Sequence, residues 1–391
     1  MNSCCESPRT GSSGSAGVAR RVRRTCLGTM LVALIVGFWI QVPAATQSTT
    51  TTCQGANPYD AEPDSGAIQD CLARFDRVLL EPAGRPGYAG YFIDDTVRLR
   101  RDGVLLTSAK APAKVLFIAM PTLAVPMLRA EANAFEISFV RFDGNRDERE
   151  VRNRPCSVVR NYRNVELSGV AFKVRYSESI RAVCASGMTI GASSRFEVAD
   201  SWFYENGRQP EDAGDVAGLW ADGLNVFNTT GATIRDNAFW DNTDVDLVVH
   251  GGPGCAVYRN TIEHFDRYGF AGMQVGFPER SGCEISENRV SSARDRLGFG
   301  IVVGCHPWAQ CEGGYANDLW VHDNVVQGAV VNLAVDGLNG GTVERNVVAG
   351  AQGARVMNCL EPADYIAAHV VNARLQNGFR VRVADFGVPC P

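Results

Sequence analysis

Apolar and polar residues alternate in short runs along the chain, and the runs recur in a fixed order. The segment GLNVFNTTGATIRDNAF (residues 223–239) contains one alternating run, a glycine-containing bend, a second alternating run and an asparagine. The same order recurs without gaps at residues 187–203, 246–262 and 332–348, and with insertions in segments ending at residues 290 and 326. Period-2 alternation predicts β-strands. Its recurrence every 22–36 residues predicts a solenoid of β-strand coils.

The asparagine that closes each repeat predicts how the coils are joined. It recurs at Asn237, Asn260, Asn288, Asn324 and Asn346, with Ser201 at the equivalent position of the earliest copy. An asparagine tolerates the backbone geometry of a bend, so we expect these side chains to stack as a hydrogen-bonded ladder. Cys255 and Cys283 each precede their asparagine by five residues. Adjacent coils lie ~4.8 Å apart, a spacing that suits a disulfide between these two cysteines.

The N-terminal region has the composition of an export signal. A basic RRVRR (residues 20–24) precedes the uncharged stretch at 26–42, and small residues follow near Ala44 and Ala45. Residues 1–46 therefore predict an export signal or an uncleaved membrane anchor, and a secreted or extracytoplasmic protein. Residues 47–57 form a Thr-rich linker, and residues 58–391 form one β-helix domain with a C-terminal cap from about residue 353.

Charge and cysteine content narrow the possible partners. The formal net charge is −5 although the N-terminal region is basic, so the chain has no basic stripe to bind nucleic acid. Thirteen cysteines are present, and the ten that follow the N-terminal region predict disulfides in an oxidising compartment. Besides Cys255–Cys283, we expect the pairs Cys53–Cys71, Cys156–Cys184, Cys305–Cys311 and Cys359–Cys390. The sequence does not predict an oligomeric state.

On these repeats, the chain resembles the right-handed parallel β-helix proteins of the pectate lyase superfamily over roughly residues 60–350. DSGAIQDCL (64–72) resembles the short capping helix of that superfamily. The resemblance implies an all-β, single-domain right-handed parallel β-helix in which one sheet forms the floor of a saccharide-binding groove. Near the C-terminus, residues 362–376 predict a helix, with Gly378 after it as a stop.

The repeat alignment identifies residues for that groove. Leu224, Leu247 and Met273 are equivalent and predicted to point into the core. Their neighbours are then predicted to point outward, where the connections differ most in length: Asn225, Asp246, Val248, His250 and Gln274. Cationic and aromatic residues on those connections supply further candidates for substrate binding: Arg208, Trp220, Arg267, Tyr268 and Trp308.

Three acids on neighbouring coils are the candidate catalytic residues. From strand and coil spacings, Asp222, Asp244 and Asp246 should cluster within roughly 5–9 Å, which spans the carboxyl separations of glycosidases. ADGLNV (221–226) and DVDLVV (244–249) also resemble the TDGIDI and DDCVAI segments of polygalacturonases. Val245 replaces the second aspartate, and YGFAG (268–272) lacks the histidine expected there. His250 is a candidate for the role of the missing histidine. The alternatives are an Asx-type turn at Asp244, a cap of the preceding loop at Asp222 and a solvated or structural role for His250.

These residues favour a secreted glycoside hydrolase that needs no cofactor, and two alternatives stay open. In a calcium-assisted polysaccharide lyase, Asp222, Asp244 and Asp246 would bind Ca²⁺. The base or charge neutraliser would then come from Arg208, Arg267, Arg280 or Lys173. The other alternative is a solenoid that binds a polysaccharide or oligosaccharide without catalysis.

Overall fold

The chain folds as a solenoid of three parallel β-sheets, here named A, B and C, which each coil visits in that order. The computed structural model describes residues 50–82, 90–149, 162–208, 220–276, 282–293, 296–305, 315–352 and 362–381. The predicted export segment 1–46 lies outside these residues. The all-β solenoid predicted from the repeats is confirmed. Within the described ranges, no helix is long and apolar enough to cross a membrane.

The strands pair in parallel with the equivalent strands of the coils before and after. Sheet A contains Thr50–Thr52, Arg77–Leu80, Leu105–Ser108, Glu136–Ser138, Lys173–Arg175, Glu197–Ala199, Thr233–Arg235, Cys255–Tyr258, Cys283–Ser286, Trp320–His322, Thr342–Glu344 and Arg374–Leu375. Sheet B contains Tyr91–Ile93, Val115–Ala119, Val140–Asp143, Glu178–Ile180, Trp202–Tyr204, Ala238–Trp240, Thr261–His264, Arg289–Ser292, Val325–Gln327 and Val347–Ala349. Sheet C contains Val97–Leu99, Leu128–Glu131, Val165–Ser168, Ala185–Gly191, Ala221–Thr229, Val245–Gly251, Gly269–Val275, Leu297–Gly304, Val331–Asn339, Ala363–Val371 and Arg380–Val381, with Ala316–Asn317 beside Val331–Asn339.

The core runs along the axis of the solenoid. In sheet C, Leu224 pairs with Leu247, Leu247 with Met273 and Met273 with Ile301, and all four are fully buried. The alignment of the sequence repeats therefore predicted the register of this sheet correctly. Because each side chain stacks on its equivalent one coil away, the core keeps the same composition from coil to coil.

The predicted asparagine ladder is present where each sheet A strand turns into sheet B. The Asn237 amide donates to Asn260 (3.0 Å), Asn260 to Asn288 (2.9 Å) and Asn288 to Asn324 (2.9 Å). The ladder continues through Asn346 (2.9 Å). The residue before each of these five asparagines has a φ of 54–56°. The ladder therefore satisfies backbone and side-chain groups at a turn with left-handed geometry.

Two disulfides and a helix at the N-terminal end match the predictions. Cys255–Cys283 joins adjacent sheet A strands with a Cα separation of 4.4 Å, and Cys53–Cys71 has a separation of 5.8 Å. Cys71 lies on the helix Ser65–Arg74, which packs at the end of the solenoid as predicted for the capping helix. A 3-10 turn spans Arg146–Glu148. The other three predicted pairs each include a cysteine outside the described residues, namely Cys156, Cys311 and the pair Cys359–Cys390.

The helix predicted at residues 362–376 is wrong. Residues Ala363–Val371 form a sheet C strand whose register pairs Tyr365 with Leu333 and Ala367 with Val335. Arg374–Leu375 then continues sheet A. This segment contains good helix formers, but pairing with the preceding coil satisfies its backbone and overrides that local preference. The solenoid thus continues past the boundary near residue 353 that the sequence predicted for a cap.

Candidate functional site

Asp222 and Asp244 lie together where two adjacent coils enter sheet C. Asp222 is on the strand Ala221–Thr229 and is 7% exposed, whereas Asp244 is half-buried and directly precedes the strand Val245–Gly251. The Asp222 carboxylate accepts hydrogen bonds from the Asn225 amide (2.7 Å) and the Val245 N–H (3.3 Å). The Asp244 N–H donates to the Ala221 carbonyl (3.2 Å). These contacts fix the two acids on neighbouring coils, as the sequence predicted.

The surroundings of the two acids favour their protonated forms. Burial, followed by the negative charge of Asp244, raises the pKa of Asp222 well above its ordinary value, although the Asn225 and Val245 hydrogen bonds act in the opposite direction. Burial raises the pKa of Asp244 to about 6. Two neighbouring carboxyl groups whose pKa values are both raised form the kind of pair that can act as acid and base, with Asp222 held by the hydrogen bonds from Asn225 and Val245.

Asp246 points into the solenoid, so its predicted outward orientation is wrong. Val245 and Val248 belong to an apolar cluster on the outer face of sheet C, whereas Leu247 belongs to the central core. Two consecutive residues, Asp246 and Leu247, therefore face inward, which breaks the alternation on which the prediction was based. Asp246 is completely buried, and its two oxygens contact the Asn242 amide (2.7 Å) and His264 Nε2 (2.7 Å).

His264, which the sequence analysis missed, completes this buried network. It ends the sheet B strand Thr261–His264 and is 1% exposed. Its Nδ1 lies 2.9 Å from the Arg267 carbonyl. Because a carbonyl oxygen can only accept, Nδ1 carries a hydrogen, and the short Nε2 contact to Asp246 then needs a second, shared proton. Burial lowers the pKa of His264, but the carboxylate of Asp246 outweighs it and the net pKa is raised.

Asp241 and His264 shape the loop that follows the sheet B strand. One oxygen of Asp241 accepts hydrogen bonds from three consecutive N–H groups, those of Phe265, Asp266 and Arg267, at 3.0–3.2 Å. The loop leads to Phe270, whose N–H donates to the Asp244 carbonyl (2.7 Å). We call residues 265–268 the wall loop, because they connect the buried network to the coil that packs against Asp244.

The predicted substrate-binding residues differ in position. In the wall loop, Arg267 is half-buried and donates to the Gly207 carbonyl (3.4 Å), and the Arg296 guanidinium lies 4.3 Å from the centre of the Tyr268 ring. Trp220, two residues before Asp222, is 37% exposed. Arg208 is half-buried next to Gly207. Trp308 and Arg280 lie outside the described residues. Lys173, a candidate base or charge neutraliser, lies on a strand of sheet A rather than beside sheet C.

The remaining predicted groove residues lie on the outer face of sheet C. Asn225 is half-buried and binds Asp222. His250 is half-buried and hydrogen-bonded to Gln274, and burial lowers its pKa to about 4, so it is neutral at neutral pH. Gln274 is only 1% exposed and donates to the Gly304 carbonyl (2.6 Å), against the prediction of an exposed contact residue. Its amide instead joins two adjacent strands of the sheet.

The outer face of sheet C is not equally accessible along its length. Phe299, Val302 and Val331 occupy outward positions of later coils and are at most 1% exposed. Phe227, on the same strand as Asp222, is 43% exposed. A ligand would therefore meet the coils that carry Asp222 and Asp244 rather than the full length of sheet C.

The predicted calcium ligands do not form one site. Asp246 uses both oxygens inside the solenoid, so it cannot join Asp222 and Asp244 around one cation without breaking its contacts with Asn242 and His264. Within the described ranges, no group of three or more His, Cys, Asp or Glu residues is arranged to hold a metal ion. The residues present thus do not fit the calcium set expected from sequence.

Comparisons with known proteins agree with the fold of three parallel β-sheets. Three solved structures share the fold: the A-module of mannuronan C-5 epimerase AlgE6 from Azotobacter vinelandii (14% identity, 84% of each chain, TM-score 0.55), the Dettilon tailspike protein (10% identity, 85% of this chain and 67% of the other, TM-score 0.53) and an alginate lyase from Paenibacillus sp. FPU-7 (11% identity, 81% and 95%, TM-score 0.50). No curated protein sequence matches the chain. Residues 130–326 match the family described as the right handed beta helix region. The chain belongs to this right-handed β-helix family.

Proposed function

We propose that the protein is a secreted carbohydrate-active enzyme, a glycoside hydrolase that uses Asp222 and Asp244. The observation that carries this proposal is the pairing of two carboxyl groups with raised pKa values where two adjacent coils enter sheet C. A glycosidic bond is cleaved by one group that donates a proton to the leaving oxygen and another that activates water. The solved structures of similar fold include enzymes named for acting on mannuronan and alginate, which supports a polysaccharide substrate.

In this proposal Asp222 is the acid and Asp244 the base. Asp222, the more deeply buried of the two, protonates the leaving oxygen, while Asp244 removes a proton from the water that attacks the anomeric carbon. The Asn225 amide and the Val245 N–H hold the Asp222 carboxyl in place. After proton transfer, the same two donors stabilise the Asp222 carboxylate. Trp220 supplies a partly exposed aromatic face near the acids for a sugar ring.

Digestion of a panel of neutral and uronate-containing polysaccharides tests this proposal. Reducing ends, ultraviolet absorbance of unsaturated ends and the NMR spectrum of the sugars are followed with and without a chelator. Hydrolysis predicts new reducing ends without unsaturation, and loss of this activity in Asp222→Asn and Asp244→Asn. Glu263→Gln is the matched control, because Glu263 lies on the coil after that of Asp244 but is exposed on sheet B.

The other outcomes would each replace the proposal. Unsaturated products would identify a lyase, and sensitivity to the chelator would add a cation to it. A changed sugar NMR spectrum without chain cleavage would identify an epimerase. Binding without any reaction, unaffected by the two Asn variants, would favour a non-catalytic glycan-binding solenoid.

A further inference from the structure

The buried pair formed by Asp246 and His264 is not explained by hydrogen bonding alone. Both side chains are completely buried, and their contact is 2.7 Å. An asparagine at position 246 would accept from Asn242 and donate to Nε2 of a neutral His264, whose Nδ1 hydrogen would still reach the Arg267 carbonyl. A neutral pair would therefore satisfy the same partners without the cost of burying two charges.

The location of the pair connects it to the acid site. Asn206 donates to Asn242 (2.8 Å), and Asn242 donates to Asp246, so a short amide ladder ends on this carboxylate. Asp246 follows Val245, whose N–H contacts Asp222, and lies two residues after Asp244. It is therefore one of the negative charges that act on Asp222, together with Asp244. His264 in turn holds the wall loop through the Arg267 carbonyl.

We propose that Asp246 and His264 are positioning residues of the acid site: the Asp246 carboxylate fixes the start of the strand after Asp244 and helps to keep a proton on Asp222, while His264 anchors the wall loop. This inference rests on the proposed function for its catalytic consequence. The charged groups that face His264 are the carboxylates of Asp246 (2.7 Å) and Asp241 (3.8 Å). Glu263 precedes it on the strand but is exposed.

Asp246→Asn is the decisive variant, because it preserves the hydrogen-bond pattern and replaces the ion pair with a neutral pair. Asp246 is among the charges that act most strongly on Asp222 and His264 is not. We therefore expect the variant to fold, to lower by about half a pH unit the pH at which the Asp222–Asp244 pair releases its last proton, and to move the alkaline limit of glycan cleavage in the same direction. Asp336→Asn is the matched control. Asp336 is also completely buried and contacts a histidine (His369, 2.8 Å), but it lies three strands away on sheet C, roughly 14 Å or more.

Carboxyl ¹³C and histidine ¹⁵N NMR of the full chain measure these states without any substrate. The chain has five histidines, so single His variants assign their signals. His264 should carry two hydrogens at neutral pH in the wild type and only the Nδ1 hydrogen in Asp246→Asn. His264→Gln should leave the wall loop less protected from hydrogen exchange, because a glutamine that donates to Asp246 presents an oxygen to the Arg267 carbonyl.

Two results would overturn the inference. One is a neutral His264 in the wild type at neutral pH. The other is an Asp246→Asn variant that folds but titrates at Asp222 and Asp244 like the wild type, or no differently from Asp336→Asn. If no polysaccharide is cleaved, the proposed function fails, while the carboxyl and histidine titrations still decide whether Asp246 and His264 act on the acids.

Discussion

Replacing Asp244 with asparagine should stabilise the fold at neutral pH. The pKa of Asp244 rises from 3.8 to about 6 on folding, and each tenfold change in proton affinity corresponds to about 1.4 kcal/mol. The ionised side chain therefore costs up to ~3 kcal/mol of folding free energy, and about 1–2 kcal/mol after allowance for its partial exposure to solvent. The Asn variant avoids this cost and also removes a negative charge that acts on Asp222.

The sign of the effect fixes its pH dependence. The folded protein binds the proton of the Asp244 carboxyl more tightly than the unfolded chain does. The contribution of Asp244 to wild-type stability therefore falls as the pH rises from about 4 to about 6, and it does not change at higher pH. The gain from Asp244→Asn should be near zero at pH 3.5 and complete above pH 6.5. Urea unfolding across this range measures the gain, with Glu263→Gln as the exposed control on the next coil. An Asn variant no more stable than wild type at pH 7, or one whose gain does not depend on pH, would refute the raised pKa and with it the assignment of Asp244 as a buried base.

Four further predictions concern the stability of the solenoid and its capping helix. Asn288→Ala should lower the free energy of unfolding by about 2–4 kcal/mol in urea titrations, because it interrupts the ladder and leaves buried partners unsatisfied; a loss below 1 kcal/mol would mean that the ladder is not structurally important. Gly300→Ala should destabilise by about 1–3 kcal/mol, since the new methyl would lie 2.2 Å from a valine side chain. Gly66→Ala in the capping helix meets nothing within 4 Å and should stabilise by about 0.5–1 kcal/mol; equal thermal shifts for both glycine variants would contradict this. Replacing Cys255 and Cys283 by alanine should cost roughly 3–4 kcal/mol for their separation of 28 residues, and reductant should then leave that variant's melting temperature less affected than the wild type's.

The repeats predicted the parts of the fold that depend on periodicity. The register of Leu224 with Leu247, the ladder through Asn260 and the disulfide Cys255–Cys283 all follow from an offset that is constant along each coil. The helix predicted at residues 362–376 failed because local propensity competed with strand pairing, and a sequence pattern does not weigh one against the other.

The site was only partly predictable for a different reason. Asp222 and Asp244 came together because they lie one residue out of register at the start of successive sheet C strands. Asp246 was misplaced because one break in the alternation, between Val245 and Val248, turns a side chain from the surface to the interior. His264 belongs to another sheet, and its contact with Asp246 depends on how the coil closes, which no spacing within a single strand reveals.

Because of the asparagine ladder, the solenoid can be lengthened or shortened only by whole coils. Each asparagine accepts from one coil and donates to another, so adding or removing a whole coil restores the same bond between new neighbours. A change by a fraction of a coil would break the ladder and shift the hydrophobic register together. Asp222 and Asp244 lie outside this ladder, so the side chains at their positions can change while the ladder continues through their coils unchanged.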